Sequence, residues 1–192
     1  MRIVGGEFRG RALAAVGKGD VGAHLRPTPD RIRESLFNIL TLGKYGDLVT
    51  GQRVLDCFAG TGALGLEALS RGAESVSFIE NGRKSLSLLT KNIQICDATD
   101  RARVFKFSAL NPPQNSSPPF DLVFMDPPYG KKMGQVALEM LLKNGWLAET
   151  ATLILEDHAE QDLPPRFVKQ DVRKFGGTVI HIVQLKTREE AE

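Results

Sequence analysis

Short β-branched and apolar runs alternate along this chain with segments of helical periodicity, and few folds accept that pattern. RVLDC (53–57), SVSFIE (75–80), ARVFKF (102–107), FDLVFMD (120–126) and TLILE just past residue 151 read as strands. Most are apolar almost throughout, as expected of strands covered on both faces. ALGLEALSR (63–71), RKSLSLLTKNIQIC (83–96) and KMGQVALEMLLKN (132–144) read as helices. Alternating βα units predict a doubly wound, mostly parallel sheet. The tail departs from this: RFVKQDVRKF (166–175) and TVIHIVQL (178–185) are separated only by Gly176 and Gly177, which predicts a C-terminal hairpin. At the start, RIVGGEFRGRAL suggests a small β-hairpin and TPDRIRESLFNIL (28–40) a helix. Residues 108–119, SALNPPQNSSPP, read as an irregular connector.

The expectation is therefore an α/β chain of seven strands, with residues 1–40 a small hairpin-and-helix extension and residues 41–192 the main domain. A length of 192 residues leaves little room for a second core. No apolar run approaches the roughly 18 residues needed to cross a bilayer, and the first residues lack a signal-peptide core. A soluble cytoplasmic protein without membrane attachment, and a monomer, is expected. Cys57 and Cys96 cannot build a disulfide framework, and three scattered histidines give no zinc-ligand spacing, so no metal is expected.

Asp56 ends the first strand, and Gly60, Gly62 and Gly65 then match G-x-G-x-x-G ahead of a helix. Glu80 ends the second strand, 20 residues after Gly60. Such a loop lets a ligand approach the backbone, and an acid at that distance can accept two ribose hydroxyl hydrogen bonds. Asp56 separates the candidate cofactors. A dinucleotide pyrophosphate is anionic and disfavours a carboxylate beside the loop, whereas S-adenosylmethionine presents an amino group and a sulfonium cation.

Asp126-Pro127-Pro128-Tyr129 closes the fourth strand. An exocyclic amine of a nucleobase is a poor nucleophile because its lone pair is delocalised into the ring. A carboxylate (Asp126) and a backbone carbonyl (Pro127) can hold its two N–H groups and aim the lone pair at a methyl donor. Tyr129 offers a face on which a splayed base stacks. The tetrapeptide suits adenine N6 as well as guanine N2, in RNA or DNA. Readings from other classes are an NAD-dependent oxidoreductase, disfavoured by Asp56 and by Asp-Pro-Pro-Tyr, and a non-catalytic RNA-binding protein, disfavoured because both loops are intact.

The net charge of +2 is unevenly spread. Residues 1–33 hold seven basic and three acidic side chains, a local +4, while the remaining 159 hold 18 and 20. Arg2, Arg9, Arg11, Arg26, Arg31 and Arg33 are candidate phosphate contacts on a basic arm.

The chain resembles the bacterial small-subunit (16S) ribosomal RNA guanine-N2 methyltransferases, the RsmD family, within the Rossmann-like S-adenosylmethionine-dependent methyltransferases. The motifs that carry the resemblance run through essentially the whole chain: RIVGGEFRGRAL, LRPTPDRIRESLFNIL, LDCFAGTGALGLEALSRGA, FIE, VFMDPPY, NGWL and LILE. It implies methyl transfer from S-adenosylmethionine, with S-adenosylhomocysteine as product, to a guanine N2 in small-subunit ribosomal RNA or an assembling small subunit. It also implies that the backbone of Phe58, Ala59, Gly60 and Gly62 meets the methionine portion beside Asp56, that Glu80 holds the ribose with Asn81 near it, and that Asp126 borders the donor. Where many related enzymes carry an acid after the third strand this chain has Ser108-Ala109, so adenine recognition there falls to backbone groups.

Overall fold

The computed structural model describes residues 1–15, 29–128, 132–160 and 162–186. Four helices, α1 (Asp30–Leu42), α2 (Ala63–Ser70), α3 (Arg83–Ile95) and α4 (Met133–Lys143), flank seven strands: β1 (Arg53–Cys57), β2 (Ser75–Ile79), β3 (Ala102–Phe105), β4 (Phe120–Met125), β5 (Leu147–Asp157), β6 (Phe167–Phe175) and β7 (Thr178–Leu185). They form one sheet in the order β3-β2-β1-β4-β5-β7-β6. The strands from β3 to β5 are parallel, and β7 runs antiparallel to both β5 and β6. This is the expected doubly wound sheet with its terminal hairpin. β1 and β4 are neighbours although β2 and β3 lie between them in sequence, so the carboxyl ends of β1 and β4 flank the switch point where open α/β sheets bind ligands.

Alternation divides the sheet residues between two cores. Val54, Phe78, Leu122, Phe124, Ile154 and Ile182 face one side, under α1, α2 and α3. Leu55, Ile79, Val123, Met125, Leu153 and Leu155 face the other, under α4 and the connector. Every residue of α2 is buried, which explains its nearly unbroken apolar sequence. The connector stands where a crossover helix would lie and is pinned through Trp146, whose indole N–H donates to the Pro113 carbonyl (2.8 Å). Phe105, Phe107 and Phe120 surround that indole.

The N-terminal segment makes an antiparallel bridge between Arg2 and Ala12, the remnant of the expected hairpin. Ile3, Phe8 and Leu13 join Leu36, Phe37 and Leu40 of α1 in the same apolar core as the sheet. Polar groups of α2 and α3 fix its position. Glu67, fully buried, accepts the Val4 and Gly5 amides (2.8 Å each) and the Arg71 Nε–H (2.8 Å). Ser70 accepts the Phe8 amide through its hydroxyl and the Glu7 amide through its carbonyl. Gly6 sits at φ +73 against that carbonyl, where a Cβ would come within 1.7 Å of the oxygen. Asn92, also buried, accepts the Ala14 amide and donates to the carbonyls of Ala14 and Thr61. Residues 1–15 are thus fastened directly behind the glycine loop.

Candidate active site

The glycine loop leaves β1 through Phe58, which has φ +58, a left-handed conformation that costs a non-glycine residue energy and recurs at functional turns. Gly62 follows at φ +78 and caps α2, with no room for a Cβ against Leu89. Asp56 is buried, and its Oδ2 accepts the Gly65 amide (2.9 Å) at the first turn of α2. Burial raises its pKa from the ordinary 3.8 to about 8, with the Gly65 bond opposing and the Glu80 charge adding. Glu80 accepts the Gly60 amide on Oε2 (2.8 Å) and the Asn81 and Gly82 amides on Oε1 (2.9 and 2.7 Å). A carboxylate has about four acceptor positions, so three are filled and one remains for a hydroxyl.

Asp126 lies immediately beyond β4, beside the end of β1. Alternation and register place Glu80, Asp126 and Glu156 at one level on one face of the sheet at its carboxyl edge, with Asp56 on the same face two residues below. Burial, and then the charges of Glu156, Asp56 and Asp157, push the Asp126 carboxyl well above the usual carboxylate range. Pro127 is buried and Pro128 exposed, and Tyr129 lies outside the described residues. Together with Lys132, Gly134, Gln135 and Asp157, the two prolines line a cavity of about 230 Å³. Ser108 and Ala109 form a turn past β3: the Ser108 hydroxyl accepts the Leu110 amide, its carbonyl accepts the Asn111 amide, and Ala109 is buried.

The fit to a cationic donor rests on this donor set. A row of carboxyls, two of them raised by burial and mutual repulsion, stabilises a bound cation. No group of His, Cys, Asp and Glu among the described residues could hold a metal ion. Cys57 and Cys96 are buried with raised thiol pKa values, so neither is poised as a nucleophile. His181 is buried within β7, and burial lowers its pKa.

The basic arm is only partly available to a polyanion. Arg9 and Arg31 are exposed, and Arg2 is exposed while pairing with Asp30 (3.4 Å). Arg11 donates to the Ile95 carbonyl and stacks over Phe8. Arg26 lies outside the described residues. Arg33 requires correction as a phosphate contact: it is fully buried, bonded to the Arg2 carbonyl and to Asp30 (2.9 Å), and it braces the arm against α1. Sequence inspection missed Glu67, Asn92, Glu156 and Asp157. Glu67 has a visible signal as the only charged residue in the apolar helix ALGLEALS, and Glu156-Asp157 end a strand as Asp126 does.

A doubly wound sheet with a glycine loop after β1, an acid after β2 and Asp-Pro-Pro after β4 defines the Rossmann-like S-adenosylmethionine-dependent methyltransferases, and this protein is one of them. The model of the family described as conserved hypothetical protein 95 matches residues 1–184, and the chain belongs to that family. Ribosomal RNA small subunit methyltransferase D of Escherichia coli K12 is 40% identical over 164 residues, 85% of this chain and 78% of that protein. The protein of that name from Haemophilus influenzae is 38% identical over 168 residues, 85% and 81% of the two chains. The solved structure of yhhF from Escherichia coli superposes with a TM-score of 0.80 at 35% identity, covering 98% of this chain and 99% of that one.

Proposed function

We propose that this protein transfers a methyl group from S-adenosylmethionine to the exocyclic N2 amine of a guanine in small-subunit (16S) ribosomal RNA. The observation that carries the reading is the adjacency, in one sheet, of the glycine loop after β1 and the Asp126-Pro127 acceptor pair after β4. The names of the relatives support small-subunit ribosomal RNA as substrate.

S-adenosylmethionine supplies the electrophilic methyl group when bound. The backbone of Phe58, Ala59, Gly60 and Gly62 holds its methionine portion, Asp56 its amino group, and Glu80 a ribose hydroxyl near Asn81. The turn at Ser108 and Ala109 meets the adenine, and Asp126 borders the sulfonium. Asp126 and the Pro127 carbonyl accept the two N–H bonds of the target amine, the Pro127-Pro128 backbone fixes their angle, and Tyr129 stacks the base. The amine nitrogen would take the methyl group as its bond to the sulfonium sulfur breaks, the electron pair going to sulfur to leave S-adenosylhomocysteine, and the excess proton would pass to solvent after transfer, when the methylated amine is far more acidic. Rate enhancement on this reading comes from positioning and from a site shaped for loss of the sulfonium charge. The protein acts as a monomer in the cytoplasm, without a metal. None of the described helices is long and apolar enough to cross a membrane.

The test is methylation of naked ribosomal RNA and of small subunits from a strain lacking the protein, followed by nucleoside mass spectrometry. N2-methylguanine from one of the two substrates is expected; N6-methyladenine would refute the choice of base.

A second expected result concerns charge. Because Asp56 ionises near pH 8 in the folded protein and near 3.8 in the unfolded chain, the folded state retains a proton that the unfolded state has released. Its stability contribution therefore falls as pH rises from about 4 to about 8. A cationic ligand favours the ionised form, so S-adenosylmethionine binding should release protons below pH 8 and tighten as pH rises towards it. Calorimetry at pH 7 in buffers of different ionisation enthalpy checks this, and absence of proton release would count against Asp56 as the ammonium partner.

A third concerns the arm. Replacing exposed Arg9 and Arg31 together by Ala should weaken RNA binding uniformly and reduce the slope of log K against log salt by about 1.4, from roughly 0.7 per contact on single strands. An unchanged slope in a filter-binding titration would remove the arm from the interface.

A further inference from the structure

Nothing in Asp-Pro-Pro-Tyr chooses between guanine and adenine, and the choice must be made by a group facing the rest of the base. The cavity beside Pro127 and Pro128 holds one such group. Asp157 is the last residue of β5, and the register Met125↔Leu155 continues to set it across from Pro127. Alternation turns it to the opposite face from Asp56, Glu80 and Asp126, so it enters the cavity from the α4 side. Among the described residues, the lining includes Pro127 and Pro128 but neither Asp126 nor a residue of the glycine loop. Asp157 is half-buried, and its Oδ1 accepts the His158 amide (2.6 Å), which fixes the rotamer and leaves Oδ2 for a ligand. The Gln135 amide, also in the lining, is turned to the Asp162 carbonyl (3.3 Å). Asp157 and Pro127 line the same cavity from neighbouring strand ends, so a base whose amine is held at the Pro127 carbonyl comes within reach of Asp157.

The structure assigns Asp157 as the residue that selects guanine, its carboxylate accepting the N1–H of a target base whose N2 amine is held by Asp126 and Pro127. The assignment deepens the reading above and rests on it. Guanine presents N1–H and the N2 amine side by side on its Watson–Crick edge, and the Pro127 carbonyl and the Asp157 carboxylate, which border one cavity, offer an acceptor to each. Adenine presents a bare N1 lone pair at the corresponding place, so the same carboxylate repels it. One side chain thus both accepts the correct base and rejects the other.

The test uses 2-aminopurine, which keeps the 2-amino group and lacks N1–H. It is placed by ligation at the mapped target position of small-subunit ribosomal RNA, and its methylation is compared with that of guanine. The wild-type enzyme should favour guanine by about 10- to 100-fold in kcat/KM. Asp157→Asn is nearly isosteric and turns an amide donor towards N1. It should lose most of its activity on guanine and bring the ratio near unity or reverse it, with unchanged S-adenosylmethionine affinity. The ratio within one variant cancels any loss of folded protein, and the wild-type comparison stands even if the variant does not fold. Equal use of both bases by the wild type, or an unaltered ratio in Asp157→Asn, would overturn the assignment. A wild-type product other than N2-methylguanine on unmodified RNA would instead overturn the guanine reading, and this assignment with it.

Discussion

Replacing Asp126 by Ala should abolish detectable methyl transfer, a loss of at least about 10³-fold, while S-adenosylmethionine still binds. The amine of the base has two N–H bonds to place, and removing one of two acceptors frees it to rotate its lone pair away from the methyl group. Misplacement of that kind costs orders of magnitude in rate because the reaction depends on alignment. The donor retains its loop, with Asp56 and Glu80 tied to backbone amides independently of Asp126. The variant also relieves a half-buried carboxyl crowded by Glu156, Asp56 and Asp157, so the fold should tolerate it and become somewhat more stable near neutral pH. Methyl incorporation from labelled S-adenosylmethionine, beside calorimetric titration of the cofactor, checks both halves. Near-normal turnover would remove Asp126 from its role.

Glu67→Ala should destabilise the protein by about 3–5 kcal/mol, the usual consequence of removing one partner from a buried ionic network. The Val4 and Gly5 amides would lose their acceptor, and Arg71 would lose its carboxylate while stacked over Phe37 (5.1 Å). At roughly 2–4 °C per kcal/mol for a chain of this size, Tm should fall by about 10 °C. Glu67→Gln keeps one acceptor oxygen and should lose less. Because the arm packs behind the glycine loop, the Ala variant should also lose RNA affinity before it loses cofactor affinity. Scanning calorimetry with RNA and cofactor titrations reads this out; a loss below 1 kcal/mol would show that the arm holds without this anchor.

These two residues were unequally visible in the sequence. Asp126 follows an apolar run and precedes two prolines, a local pattern with a local chemical meaning. Glu67 stands out as the one charge in an apolar helix, yet its role does not, since an acid on a helix is ordinarily solvated and here the covering surface comes from residues 62 positions away. Arg33 misled for the same reason: it sits in a basic stretch, yet the Arg2 carbonyl and Asp30 enclose it. The strand over TLILE was legible, but its start was not. β5 begins at Leu147 because Leu147 pairs with Phe120 across an irregularity in register, and no periodicity in LAETA announces that.

Asp157 shows the limit most clearly. In sequence it is one acid at the end of a strand, 31 positions from Asp126; in the sheet it stands beside the Asp-Pro-Pro turn because β4 and β5 are parallel neighbours. The sequence by itself determined the elements, the glycine loop, the acid that ends β2 and the Asp-Pro-Pro turn, since periodicity and turn chemistry act over a few residues. Only the tertiary structure decided which charges are buried, which arginines can reach a phosphate, and which carboxylates share a site. Those properties depend on the dielectric and on neighbours that distant segments supply, and a local pattern does not contain them.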